Sequence, residues 1–238
     1  MVCYVLIHGA ASDSWYWHRL VPELEKRGHD VVAPDLPCDD DSATFGDYAD
    51  LVVDAIGDRA DLVVVAQSLG GFTAPLVCDR LRVALLVMLN AMVPVPGESG
   101  GEWWENTGHA GAFREQAIKE ERNPDDDLDP EGVFFHDVPD EVREVGMTKG
   151  KDQSATPLEA PWPLGTWPEV PTRFILSRQD RFFPAPFMRR VVRERLGMQA
   201  HEIDGGHLVA LSRPKELAEL LEELRVGARI VSFGEAAT

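Results

Sequence analysis

The sequence predicts an α/β domain: a mostly parallel, doubly wound sheet with helices on both faces and a helical cap inserted after the strand ending near Asn90. Three observations carry that prediction. Short apolar runs alternate with segments whose apolar residues recur at helical spacing. The short runs are apolar throughout rather than at every second position, as strands covered on both faces must be. One long stretch, from about residue 91 to residue 171, breaks the alternation with many Gly, Pro and acidic residues and no convincing strand.

The elements follow in order. Cys3 to His8 (CYVLIH) is the first strand. Trp17, Leu20, Val21 and Leu24 then fall on one face of a first helix, with Gly28 as its stop. Asp30 to Pro34 (DVVAP) is a second strand and Tyr48 to Ile56 a second helix. Leu62 to Ala66 (LVVVA) is a third strand, running into a helix from Leu69 to about Arg80, and Ala84 to Leu89 is a fourth strand. Beyond the interruption come a strand at Arg173–Leu176, a helix at Pro186–Leu196 and a short strand at His201–Ile203. A last helix carries Leu217, Leu220, Leu221 and Leu224 on one face, with Pro214 in its first turn, where no backbone N–H is needed. The interruption is too long for a simple connection, so it reads as a mostly helical insertion folding over one edge of the sheet. The expected organisation is a single domain over 1–238, with the core at 1–90 and 172–238 and the cap at about 91–171. After Val226 only an apolar patch stands out (Ile230, Val231, Phe233).

Charge narrows the partners. Lys and Arg number 23 against 41 Asp and Glu, a net charge of −18 that would repel a phosphate backbone or an anionic membrane surface. Neither nucleic acid nor membrane is expected as a partner, only a small-molecule substrate, with a homodimer left open. The three cysteines, Cys3, Cys38 and Cys78, are scattered and show no metal-binding spacing, which suits reduced thiols. No apolar run approaches the ~20 residues that cross a bilayer, and no leader-like segment opens the chain. The expected location is cytoplasmic, with no metal and no cofactor.

In a sheet of this kind the ligand site lies beyond the carboxyl ends of the strands. After the third strand comes Ala66-Gln67-Ser68-Leu69-Gly70-Gly71. A nucleophile displayed on a sharp strand-to-helix turn needs small flanking residues, usually in the pattern G-x-S-x-G. Gly70 supplies one, Ala66 replaces the other at the cost of a methyl group, and Gly71 lets the helix approach. A helix-capping serine would not require small residues on both sides. Ser68 is therefore the expected nucleophile. The developing oxyanion needs backbone N–H donors: Leu69, directly after the serine, and Ala10, in the His8-Gly9-Ala10 loop after the first strand. The base belongs after the last strand, where Asp204-Gly205-Gly206-His207 places His207. His18 and His29 flank the first helix, His109 and His136 lie in the insertion, His201 is inside a strand and His8 organises a loop. A carboxylate must hold the imidazole in the right tautomer. Asp180, in Ser177-Arg178-Gln179-Asp180-Arg181, follows the fifth strand; the alternative place after the fourth holds Asn90. Asp204, nearer in sequence, is expected to shape the turn. The order Ser, Asp, His is that of α/β-hydrolases.

At these residues the chain resembles the α/β-hydrolase superfamily over nearly its whole length. Within it, the chain is similar to the small plant-type esterase and hydroxynitrile lyase group and its bacterial relatives. The stretches that carry the likeness are VLIHGAASDSWYWHRLVPELEKRGHDVVAPDL, VVVAQSLGGF and DGGHLVALSRP, with Phe134-Phe135-His136-Asp137 resembling a cap segment. The resemblance implies an α/β-hydrolase fold, an eight-stranded pattern lacking its first two strands, and a cap over the site. It implies ester hydrolysis rather than cyanohydrin cleavage, because the lyases carry a threonine where this chain has Gly9 and a lysine where it has Leu208. Lactonase, carbon–carbon bond hydrolase and thioesterase chemistry share the triad and stay open, as does a non-catalytic binder. An apolar pocket lined by some of Gly9, Trp103, Trp104, Phe134, Phe135, His136 and Leu208 is expected to suit a small hydrophobic ester.

Overall fold

An extended segment buried on both faces has no polar side to offer water, and each apolar run becomes a strand of one sheet. In the computed structural model, which describes residues 1–124 and 129–235 with side chains to Ala228, the strands are β1 (Cys3–Ile7), β2 (Asp30–Val32), β3 (Leu62–Gln67), β4 (Val83–Leu89), β5 (Thr172–Ser177) and β6 (His201–Ile203). Their order is β2-β1-β3-β4-β5-β6 and every pairing is parallel. Among the described residues the sheet therefore has six strands, without an antiparallel member.

Successive strand residues point to opposite faces, and they divide between two cores. Cys3, Val5, Ile7, Val64 and Ala66 join one cluster with α2 (Phe45–Ile56), α3 (Gly70–Arg80) and α9 (Ala185–Leu196). Tyr4, Leu6, Val63 and Val65 join the other, with Trp17, Leu20, α1 (Val21–Glu25) and the last helix, α11 (Pro214–Glu235). A sheet covered on both faces in this way is doubly wound.

Two helices differ from their expected form. The predicted first helix is two pieces, a 3-10 turn at Ser14–Trp17 and the short α1. Pro22 sits at the start of α1, where a missing N–H is tolerated, whereas inside a continuous helix it would leave a hydrogen bond unmade. The apolar spacing survives the break: Trp17, Leu20 and Leu24 are fully buried. Helix α2 starts at Phe45 rather than Tyr48, because Thr44 and Asp47 form a reciprocal capping box. Ile230, Val231 and Phe233 lie in α11 beyond the described side chains.

Among the described residues, five helices run between β4 and β5: α4 (Gly100–Thr107), α5 (His109–Lys119), α6 (Pro130–Phe134), α7 (Asp140–Gly146) and α8 (Thr156–Glu159). The two feet of this excursion are joined. Gly97 N–H donates to Trp162 O at 3.2 Å, Trp162 N–H donates to Glu98 O at 2.9 Å, and Ser99 bridges Pro161. Glu98, buried, pairs with Arg195 of α9 (2.8 Å), fastening the feet to the sheet's helical layer. No described helix is long and apolar enough to cross a membrane.

Candidate active site

Ser68 occupies the turn between β3 and α3 with φ +52°, a left-handed conformation that costs an L-residue on the order of 1 kcal/mol. The turn is held from several sides. Ser68 N–H donates to Leu89 O (3.3 Å), and Ser68 O accepts from Gly71 N–H (3.1 Å) and Met92 N–H (2.9 Å). Both following glycines are dictated by close approach. A Cβ on Gly70 would lie 2.8 Å from His8 O, and one on Gly71 would lie 2.0 Å from Met92 O. The start of α3 lies too close to the end of β1 and to the chain after β4 for either methyl group.

Asp180 follows β5 and is buried. Its Oδ1 accepts the N–H groups of Phe182 (2.9 Å) and Phe183 (2.8 Å), which fixes the carboxylate and turns Oδ2 toward His207 Nδ1 at 2.8 Å. His207 follows β6 and is also buried, its ring packed edge-on against Phe134, Phe182 and Phe183 at centroid distances of 5.5, 5.2 and 5.1 Å. Asp204 is elsewhere. It is exposed and bound to Arg178 Nη1 at 2.8 Å, and that hydrogen bond, with another from Gln179, holds its carboxyl below the usual range.

The residue that occupies the alternative acid position is a brace. Asn90 Nδ2 donates to Ser177 Oγ (2.9 Å) and His207 O (3.2 Å), and Asn90 Oδ1 accepts from Ser177 N–H (2.7 Å). It ties the end of β4 to the end of β5, which leads to Asp180, and to the loop that carries His207. His8 is a second organiser. Burial pushes its pKa down, which keeps the ring neutral; Nε2 accepts from Leu36 N–H (2.9 Å), so Nδ1 carries the proton and donates to Gly9 O (2.8 Å).

Ser68 and His207 open into one cavity of about 440 Å³, with Ala10 and Leu69 in the same wall. Among the described residues no acceptor takes the backbone N–H of Ala10 or of Leu69. Of the expected lining, Trp104, Phe134, Phe135 and Leu208 border the cavity, whereas Gly9, Trp103 and His136 do not. Gly9 lies in the loop after β1, packed against the Ser68 turn, where a Cβ would meet Gln67 Oε1 at 2.4 Å and Ser68 Cβ at 2.8 Å. Trp103 is fully buried in the core, with its Nε1–H on Val93 O (3.1 Å). His136 stands behind the base loop, against Gly206. The chain also places Trp15, Tyr16, Met92, Phe182 and Lys149 at the cavity. Phe182 was within reach of sequence reasoning, two residues past Asp180; Lys149 carries no motif. No cluster of His, Cys, Asp or Glu among the described residues could hold a metal ion.

This fold and this grouping define a class, and the wider comparison agrees. Residues 4–220 match the alpha/beta hydrolase family, and the chain belongs to it. It is 25% identical to an alpha-hydroxynitrile lyase of Arabidopsis thaliana, over 93% of this chain and 96% of that one. It is 24% identical to the polyneuridine aldehyde esterase of Rauvolfia serpentina, over 93% and 94%. A solved extracellular alpha/beta-hydrolase from a Paenibacillus species superimposes with a TM-score of 0.77 at 22% identity, covering 94% of this chain and 99% of that one, a likeness of fold.

Proposed function

We propose that the protein is a carboxylic ester hydrolase acting on small hydrophobic esters through an acyl-enzyme on Ser68. The observation that carries the reading is the convergence on one largely apolar cavity of a serine in a left-handed turn and a histidine whose other nitrogen is 2.8 Å from a buried carboxylate. Ser68 Oγ attacks the ester carbonyl carbon while His207 Nε2 takes its proton; Asp180 stabilises the imidazolium so formed. The unengaged N–H groups of Ala10 and Leu69 receive the negative oxygen. His207 then gives its proton to the departing alkoxide, and a water, activated by the same imidazole, releases the acid from Ser68.

The chain is as similar to a lyase as to an esterase, so sequence likeness does not choose between them. The site does. Expulsion of cyanide is helped by a donor and a cation beside the leaving group. Gly9 has no room for a threonine against Gln67 and Ser68, and Leu208 offers no charge beside His207. The cavity's lysine, Lys149, is exposed and comes from the stretch after α7.

The test is a panel of p-nitrophenyl esters of increasing chain length with several lactones, and mandelonitrile for comparison, on one preparation. Ester turnover is expected to fall by about 10⁴-fold or more in Ser68→Ala, and an organophosphonate should label Ser68 in the wild type alone. Cyanide release above the Ser68→Ala background without ester turnover would reverse the assignment, and lactone turnover in place of ester turnover would redirect it.

A further inference from the structure

The segment just after α6 reaches the backbone that carries the base. Asp137 Oδ2 accepts the N–H of Gly206, the residue immediately before His207, at 2.7 Å. The same carboxylate crowds both glycines of the turn. A Cβ on Gly206 would lie 2.6 Å from Asp137 Oδ1 and 2.8 Å from His136 Nε2, and one on Gly205, at φ +133°, would lie 3.3 Å from Asp137 Oδ2. Asp137 Oδ1 and His136 Nε2 are themselves buried without a hydrogen-bond partner among the described residues. A buried carboxylate oxygen without a donor is costly to keep, so this contact is not an incidental surface one.

The neighbouring contacts have one target. Gly205 N–H donates to Gln179 Oε1 (2.6 Å) and Gln179 N–H donates to Gly205 O (3.0 Å), which locks the base loop to the acid loop. Arg181, next to Asp180, donates to Gly132 O of α6 (2.8 Å). Phe134, at the end of α6, lies against the His207 ring. From the sheet side Asn90 holds His207 O. The peptide leading into His207 is thus gripped from below by β4 and from above by the insertion, and Asp137 supplies the upper grip.

We propose that Asp137 is a positioning residue for the base: by accepting the Gly206 N–H it sets the direction in which the His207 imidazole faces the cavity, and so couples the seating of the cap to proton transfer. The proposal rests on the assignment of His207 and Ser68 above. A misdirected general base slows chemistry while leaving ground-state binding intact, since small displacements of a catalytic group are expensive in rate. The grip needs an acceptor and not a charge, so asparagine should replace it.

The experiment compares wild type, Asp137→Ala and Asp137→Asn, with Ser68→Ala as background, on p-nitrophenyl acetate. Expected for Asp137→Ala is a fall in kcat of about tenfold or more with KM within about twofold, and a low-field proton NMR resonance of the His207–Asp180 hydrogen bond that broadens or moves. Asp137→Asn should restore most of kcat and the resonance. Unchanged kcat in Asp137→Ala, a loss confined to KM, or an asparagine variant as slow as the alanine one with the resonance in place overturns the proposal. If Asp137→Ala does not fold, the asparagine variant and the resonance decide alone. Full turnover in Ser68→Ala would overturn the hydrolase assignment itself, and is read in the same assay independently of residue 137.

Discussion

Two aspartates compete in the sequence for the same histidine, and only one of them has its spare valence pointed at it. Asp180 spends Oδ1 on two backbone N–H groups and keeps Oδ2 for His207, whereas Asp204 spends its charge on Arg178 at the surface. Asp180→Asn is therefore expected to lower kcat on an activated ester by roughly 10⁴-fold, because an amide favours the wrong imidazole tautomer. Asp204→Asn should stay within a few-fold of wild type, and steady-state rates of the two variants check the difference. These residues were legible in the sequence because each sits at the end of a strand, in a turn whose chemistry is local. Asn90 and Asp137 were not read as part of the site. Their roles come from distant chain segments meeting, such as Asn90 with Ser177 and His207, or Asp137 with Gly206, and no spacing along the chain announces that.

Among elements, the strands were the most legible, since full burial leaves an unbroken apolar run and all six fall within a residue or two of their expected places. The helices were less so. Apolar spacing marked the buried face at Trp17, Leu20 and Leu24 but was blind to the break just before Pro22. Within the insertion, helix character was foreseeable and the individual helices were not, because short segments draw their stability from packing rather than from propensity. What packs them is partly ionic. Glu98, nearly fully buried, is answered by Arg195, which also reaches Val93 O and stacks over Trp103 at 5.9 Å. Arg195→Ala would take the counter-charge from a buried carboxylate at the feet of the insertion, leaving it, among the described residues, only the Asn106 Nδ2 and Val95 N–H donors. Its expected cost is about 3 kcal/mol in urea unfolding, the lower end for breaking a buried pair. A change within experimental error would mean that the pair merely decorates the interface.

At the scale of the whole molecule, the first strand and the last helix are held by one carboxylate. Glu222 of α11 accepts from Tyr4 Oη of β1 at 2.6 Å and from Arg225 Nη2 at 2.8 Å, and His29 Nε2 lies 3.0 Å away. Burial resists its ionisation, but the hydrogen bonds from Arg225 and Tyr4 and the charge of Arg225 outweigh it and bring its pKa down to about 2. A carboxylate whose folded pKa is depressed adds stability that is complete above its ordinary value of 4.5 and is lost as pH falls toward 2. Glu222→Gln should thus be less stable than wild type near neutrality, by on the order of 2 kcal/mol, with the gap closing between pH 5 and about 2. Unfolding free energies at a series of pH values would show a constant gap if Glu222 acted only by its shape.

The joined feet of the excursion between β4 and β5 have a consequence for how such a chain can change. Residues 97–99 and 161–162 are hydrogen-bonded to one another, so everything between them begins and ends at one place. Helices α4 to α8 can then grow, shrink or be exchanged without altering the register of any strand or moving Ser68. The loops that carry Ser68, Asp180 and His207 are the fixed frame and the roof is a cassette. Divergence of substrate preference along a lineage, or in the laboratory, can draw on a segment that is recombined whole, while Trp15, Tyr16, Met92, Phe182 and Leu208 stay as the fixed part of the cavity wall. The condition for such an exchange is that the incoming segment bring its own equivalent of the Asp137 contact to the base loop.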